Sequence, residues 1–166
     1  EVVSRMAAAR LAKWIEHMTG FLKDGIITKD SYGDWCVPPE DPKLIHSKDP
    51  MRKTAPGILA TSYLAYDLRL MARYATVLGK AADAQRFNAL ADQLQSALNA
   101  RFYNAERGYY DNGSQTSCVL PLAVDLVPGD QRARVFHQLV RKITEGTQGH
   151  IGTGLVGGTL EAALDR

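Results

Sequence analysis

The sequence lacks the marks of several large protein classes. No apolar run approaches the ~20 residues that span a bilayer, and no charged stretch followed by an apolar one opens the chain, so neither a membrane partner nor a compartment is indicated. Only two cysteines occur, Cys36 and Cys118, far apart and without a second Cys or His at metal-ligand spacing. A zinc site is therefore not expected, and two buried free thiols are expected in preference to one disulfide. There is no excess of one charge: 20 Lys and Arg face 18 Asp and Glu for a net charge of +2, scattered without a basic stripe, which disfavours a nucleic-acid partner. The glycines between 146 and 158 follow no strand and form no G-x-x-x-x-G-K-S/T, so phosphate cradling has no support. No Gly-x-Ser-x-Gly elbow exists either, which leaves nucleophilic catalysis without a case. No cofactor is expected.

What is present is ordinary globular composition, 45% hydrophobic and 23% charged over 166 residues, enough for one domain with a real core. The organisation is helical. Val3, Met6, Leu11, Trp14, Ile15, Met18 and Leu22 recur at helical spacing, and Gly25 is expected to end that helix. Residues 26–51 are broken by Gly33, Pro38, Pro39, Pro42 and Pro50 and read as a long loop. A second helix is expected from an N-cap at Thr54 to Gly79, about 36 Å long, with Ile58, Leu59, Leu64, Leu68, Met71, Ala75 and Leu78 buried. The connection at Lys80 is short, so the third helix, marked by Ala84, Phe87, Leu90, Ala91, Leu94, Ala97, Leu98 and Phe102, must return antiparallel.

Residues 103–114 form a polar, aromatic turn region. A short apolar helix over 115–126 is closed by Pro128, and an amphipathic helix follows with Val135, Phe136, Leu139, Val140 and Ile143 on one face. The glycine-rich segment 146–158 leads to a last helix start at Thr159. Six helices in three consecutive hairpins, with no convincing strand pair, make the class all-α, and the long loops should share one face. No period near 34 residues repeats, which argues against a tetratricopeptide-type array.

Several ordered motifs carry a resemblance. Tyr32-Gly33-Asp34-Trp35 is similar to the Gly-Asp-Trp stretch of glycoside hydrolase family 78, the α-L-rhamnosidases. Gln115-Thr116 opening a short helix, Leu126-Val127-Pro128 ending it, and the run from His150 through Ile151, Gly152, Thr153, Gly154, Leu155 and Val156 to Gly157 resemble the family's Q-T, L-V-P and H-x-x-T-G-x-x-G signals in order. The resemblance covers essentially the whole chain. It implies a partial (α/α)6 toroid of the six-hairpin glycosidase type, of which residues 1–166 would supply about three hairpins. It also implies a glycosidase that releases terminal α-L-rhamnose from rhamnosylated glycans or glycosides by inversion.

The family's general acid, a Glu in an Asp-Glu-Arg stretch, and its general base, a Glu in Thr-Thr-x-Trp-Glu, have no counterpart in this sequence. No catalytic residue is therefore assigned, and Glu161 matches no functional position. The chain starts at Glu1 and stops at Arg166 inside helical patterns, so it is read as a fragment, inactive alone, that needs its missing half or self-associates to cover apolar faces. Candidate substrate-binding residues are Asp34, Trp35, Tyr32, Gln115 and His150. Asp34 sits beside an aromatic in a glycine-containing loop, but an Asp there also suits loop capping. Trp35 suits stacking on the apolar face of a deoxy sugar as well as core packing. Gln115 could orient hydroxyls or cap a helix, and His150 lies at a flexible glycine turn. Glu40-Asp41 reads as a solvated loop pair. Two alternatives stay open: a toroid glycosidase for another sugar, and a non-catalytic helical-repeat module that holds a glycan or peptide.

Overall fold

A computed structural model describes residues 2–29 and 33–158 of the chain. Five α-helices dominate: α1 (Val2–Thr19), α2 (Pro56–Val77), α3 (Ala81–Phe102), α4 (Gln115–Ala123) and α5 (Arg132–Arg141). Two antiparallel ribbons of two-residue strands punctuate them, β1 (Leu22–Lys23) with β2 (Ile26–Ile27) and β3 (Tyr103–Asn104) with β4 (Tyr109–Tyr110). The class is all-α, although the expectation of no strand pair is corrected by these ribbons. Each is too short to be stable alone and rests on the helices around it.

The α2–α3 hairpin is the frame. Ile58, Leu64 and Leu68 from α2 meet Ala91, Leu94 and Leu98 from α3, all almost completely buried. Spacings of three and four residues along Ala91, Leu94 and Leu98, and along Leu64, Leu68, Met71 and Ala75, make one continuous stripe on each helix. The connection closes with Gly79 at positive φ, its N–H donating to the Thr76 carbonyl at 3.0 Å while Lys80 N–H donates to Ala75 at 2.8 Å. That pair of bonds satisfies the last carbonyls of α2 and turns the chain within three residues. Leu78, expected to be buried, is only half so.

The second hairpin, α4–α5, packs its apolar α4 against α2. Ser114 is the N-cap of α4, its hydroxyl accepting from Ser117 N–H, so Gln115 is the first helical residue and not a cap. Val135 and Leu139 are the buried side of α5, whereas Phe136 and Val140 are exposed. A π-type turn at Lys142–Gly146 ends α5. Residues 155–158 are helical, and the expected helix start at Thr159, with Glu161, lies outside the described residues, as does Tyr32. Two full hairpins are thus described, with α1 lying against α2.

Four further local expectations are corrected. Gly25 does not end a helix: α1 stops at Thr19, and Asp24 and Gly25, with φ of 52° and 76°, form the turn between β1 and β2. Both central φ values are positive, as a type I′ hairpin requires, and Asp-Gly is its favoured pair. Thr54 does not cap α2. Ala55 holds that position without a side-chain cap, and Thr54 shares a 2.7 Å hydrogen bond with Ser114 Oγ instead, joining the starts of α2 and α4. Of the opening apolar stripe, Ile15 is buried but Leu11 and Trp14 are 41% and 50% exposed. Both cysteines are free, Cys118 buried as expected and Cys36 exposed against expectation.

Tyr110 links β4 to α3. It is fully buried and donates to Asn99 Oδ1 at 2.5 Å, and Asn99 Nδ2 in turn donates to the Leu126 carbonyl at 2.8 Å. Burial pushes its phenol well above the ordinary tyrosine range.

Two outcomes follow for stability. A Cβ at Gly25 would overlap Ala97 Cβ and impose strain at positive φ, so Gly25→Ala should lose about 1–3 kcal/mol in urea unfolding. The phenol of Tyr110 is harder to ionise folded than unfolded. Its contribution is therefore complete below about pH 10 and is lost as pH rises above that value, where only the unfolded chain releases the proton. Tyr110→Phe should start less stable but show a shallower decline between pH 9 and about 11 in thermal melts; an identical slope in both proteins would contradict this account.

Candidate functional site

The loops of residues 33–55, 103–114 and 142–154 converge at one end of the hairpins, as the alternation of long and short connections implies. Their meeting is built from named contacts. Asn112 donates its amide to the carbonyls of Lys53 at 2.8 Å and Met51 at 3.2 Å, and its Oδ1 accepts from Ser114 N–H at 3.0 Å. Asp111 accepts from Ala55 N–H at 2.9 Å. The β4–α4 turn thereby pins the long loop where it enters α2.

Asp34 is the centre of the second junction. It is only 9% exposed, and its carboxylate takes three donors from two distant segments. Thr116 Oγ1–H donates to Oδ2, Gly154 N–H donates to Oδ2 at 2.9 Å, and Gly157 N–H donates to Oδ1 at 3.4 Å. The next peptide extends the clamp, with Leu155 N–H donating to the Trp35 carbonyl at 2.8 Å. The glycines explain themselves here. A Cβ at Gly154 would overlap the Trp35 carbonyl and come within 2.6 Å of Asp34 Oδ1, and one at Gly157 would overlap Thr116 Oγ1. Side chains at 154 or 157 would force the carboxylate and the backbone N–H groups apart.

Gln115, one residue before Thr116, repeats the device toward the other side of the same segment. Its Nε2 donates to Thr147 Oγ1 at 2.8 Å and to the His150 carbonyl at 3.1 Å, and its Oε1 accepts from Gly152 N–H at 2.6 Å. All of its polar atoms are engaged and it is 1% exposed. His150 is exposed and contributes its carbonyl to this network.

Between the 33–56 segment and the Asp111–Asn112 turn lies a cleft of about 570 Å³, within the range of ligand sites. Asp34 and Trp35 both line it. Trp35 is 58% exposed there, held by its own carbonyl's bond from Leu155 N–H and not packed into the core. Gln115 and His150 do not line this cleft, and Tyr32 lies outside the described residues. The structure thus brings Asp34 and Trp35 together, while Gln115 and His150 meet behind them.

Sequence reasoning missed Thr116, Asp111 and Asn112 as architects of this site. The Asp-Asn-Gly run was legible as a turn, but not what it clamps, because its partners are 56 to 62 residues away. Among the described residues no group of three His, Cys, Asp or Glu side chains is placed to hold a metal ion.

The chain as a whole has counterparts among known proteins. The family model described as the bacterial alpha-L-rhamnosidase 6 hairpin glycosidase domain matches residues 6–162. An alpha-L-rhamnosidase of Formosa agariphila is 29% identical over 147 residues, covering 89% of this chain and 15% of the relative. One from Streptomyces avermitilis is 33% identical over 143 residues, covering 86% of this chain and 12% of that protein. The chain therefore spans less than a sixth of the length of either. Among solved structures, the S. avermitilis alpha-L-rhamnosidase complexed with L-rhamnose aligns with a TM-score of 0.79 at 27% identity, over 93% of this chain and 14% of that one. The enzyme from Dictyoglomus thermophilum aligns at 0.78 and 28%, over 93% and 17%. The Aspergillus terreus enzyme, at 0.77 and 20% identity over 97% and 19%, shares the fold. The described hairpins are accordingly part of an (α/α)6 toroid. With nearly its whole length matched, the chain belongs to the bacterial α-L-rhamnosidase six-hairpin glycosidase family.

Proposed function

We propose that this chain is one part, residues 1–166, of the catalytic domain of a glycosidase that releases terminal α-L-rhamnose by inversion. The observation that carries the reading is the exposed Trp35 indole at a cleft whose wall is fixed by the Asp34 clamp. A rhamnosyl unit presents an apolar face and a methyl group, which an indole can cover without losing its own hydrogen-bonding edge. Trp35 makes the direct contact in this proposal. Asp34 presents it, and any hydroxyl contact by Asp34 would use lone pairs left by its three donors. Gln115 and His150 act behind the surface by holding the 147–152 turn, and Tyr32 flanks Trp35 in sequence.

Inversion needs a protonated carboxylic acid and a carboxylate about 6.5–9.5 Å apart, with a water between the base and the sugar. The two carboxylates lining the cleft do not suit that pair. Asp34 is clamped by three donors, and Asp111 is tied to the start of α2. We therefore assign both the general acid and the general base to polypeptide beyond these 166 residues, consistent with the absence of Asp-Glu-Arg and Thr-Thr-x-Trp-Glu from the sequence. The exposed Leu11, Trp14, Tyr74 and Val77 side chains on α1 and α2 offer an apolar seam for the rest of such a domain.

Two measurements test this. In a complete protein carrying this chain, Trp35→Ala should raise KM for a chromogenic α-L-rhamnoside about tenfold, the scale of a lost aromatic platform. Unchanged KM removes Trp35 from the site, and no rhamnose release by the parent protein defeats the assignment. The 166-residue chain alone should elute as self-associated species in size-exclusion chromatography; a stable monomer would show that its apolar seam needs no cover.

A further inference from the structure

Away from the loop face, a groove runs between α1 and α2. Leu11, Trp14 and Ile15 line it from α1 and Asp67, Leu70, Met71 and Tyr74 from α2, each set repeating at three and four residues. Ile15 and Met71 are its buried floor, while Leu11, Trp14 and Tyr74 stand exposed along its edges. Its volume of about 180 Å³ is below the range of small-ligand sites, but it can admit an inserted side chain. Two helices whose ridges meet in this way leave a furrow shaped for a third helix. One group does not fit an apolar furrow: the half-buried carboxyl of Asp67. Withdrawal from water pushes it above the usual carboxylate range, and the Trp14 indole N–H, which donates to it, only partly offsets that cost. Asp83, Asp92, Asp125 and Glu145 each meet an arginine, but among the described residues no cation pairs with Asp67. On the same two helices Arg69 is committed to Asp92, and Arg10, Lys13 and Arg73 form no ion pair with a described residue.

We propose that this groove is the seat of an amphipathic helix from the rest of the parent domain, one that inserts an apolar side chain between Trp14 and Tyr74 and brings a lysine or arginine to Asp67. The inference rests on the reading of this chain as one part of a larger catalytic domain, and it names the chemistry of what covers the seam. Two observations support that occupant. The matching family is built from six hairpins, whereas two hairpins and α1 are described here, and the chain spans 14% and 17% of two solved relatives, so most of such a protein lies outside these residues. The second is charge complementarity: a carboxylate among six apolar side chains is costly to bury alone and becomes a selective contact once a cation joins it. Asp67 thereby sets which helix, and which turn of it, can sit in the groove, because an apolar helix without a cation would bury the carboxylate further and leave it unanswered.

The test uses the complete protein that carries this chain. A photoreactive benzophenone amino acid in place of Tyr74 should cross-link within the same molecule to a segment outside these 166 residues, and mass spectrometry should find there apolar residues three or four apart with a lysine or arginine beside them. A cross-link to a second molecule, one to a segment without a cation, or none at all overturns the proposal. The charge is tested separately. Asp67→Asn keeps an acceptor for the Trp14 indole and removes only the charge; it should lower the thermal midpoint by about 2–4 °C, and Asp67→Lys by more. An unchanged or raised midpoint in both variants overturns the pairing, since a carboxylate left unpaired in the groove costs stability. Neither readout depends on catalysis. The expected results in a protein that releases no rhamnose would uphold the docking and reject the glycosidase reading, and the opposite results in a protein that does release it would reject the docking alone.

Discussion

The loop face of this molecule depends on one buried carboxylate. Asp34 lies in a loop that has no regular structure of its own and would otherwise have little reason to hold one conformation. Hydrogen bonds to an ionised group contribute about 1.5–3 kcal/mol each, more than neutral ones, and removing the partner leaves buried groups unsatisfied. Three such bonds fasten residue 34 to positions 116, 154 and 157, so loop, helix start and glycine turn are ordered as one unit. Taking the charge out of water is costly by itself. The geometry of the two backbone N–H groups offsets that cost only because glycine at 154 and 157 lets them approach.

The same logic explains why Gln115 and Thr116 stand side by side at the start of α4. Adjacent side chains on a helix point about 100° apart, so one can reach toward the 147–152 stretch and the other toward Asp34. The stretch from Thr147 to Gly157 is thereby tied directly by Gln115 at one end and through Asp34 at the other to a helix whose own position is fixed by burial from Thr116 to Leu122. The start of α4 is capped by Ser114, leaving Gln115 and Thr116 free for these longer bonds. Packing places the helix, and the helix then places the loops.

Much of the frame was legible in the sequence because it is local. The stripes on α2 and α3 follow a 3.6-residue period, and Gly79 marks the stop. Asp24-Gly25 was equally legible and was misjudged: the helical spacing of Leu22 with Met18 hid a two-residue hairpin signal that specifies positive φ. Thr54 had the right identity for a cap, but its hydroxyl found Ser114, 60 residues away. Cys36 looked buried by composition alone, yet it sits at a positive-φ position in an exposed turn after Trp35. The candidate site was legible only as motifs. What joins Asp34 to Gly154 is a separation of 120 residues, and no period or propensity encodes it.

That separation bears on what a family motif means. Gly-Asp-Trp and H-x-x-T-G-x-x-G read as two site fragments, each inviting a guess about sugar contact. In the folded chain they are largely one structural device: the Asp of the first accepts the backbone N–H groups that follow the Thr of the second, and the glycines of the second exist to let that happen. The residue set free by the device is Trp35, whose backbone carbonyl is bound while its indole is left exposed at the cleft. On the proposed function, a substitution at Asp34 and one at Trp35 would both impair the site, for different physical reasons. Loss of the first disorders the wall, and loss of the second leaves the wall intact and removes what it presents. Proximity in sequence to a ligand-facing residue is therefore weak grounds for assigning a ligand contact, and the burial of the polar atoms is the better criterion.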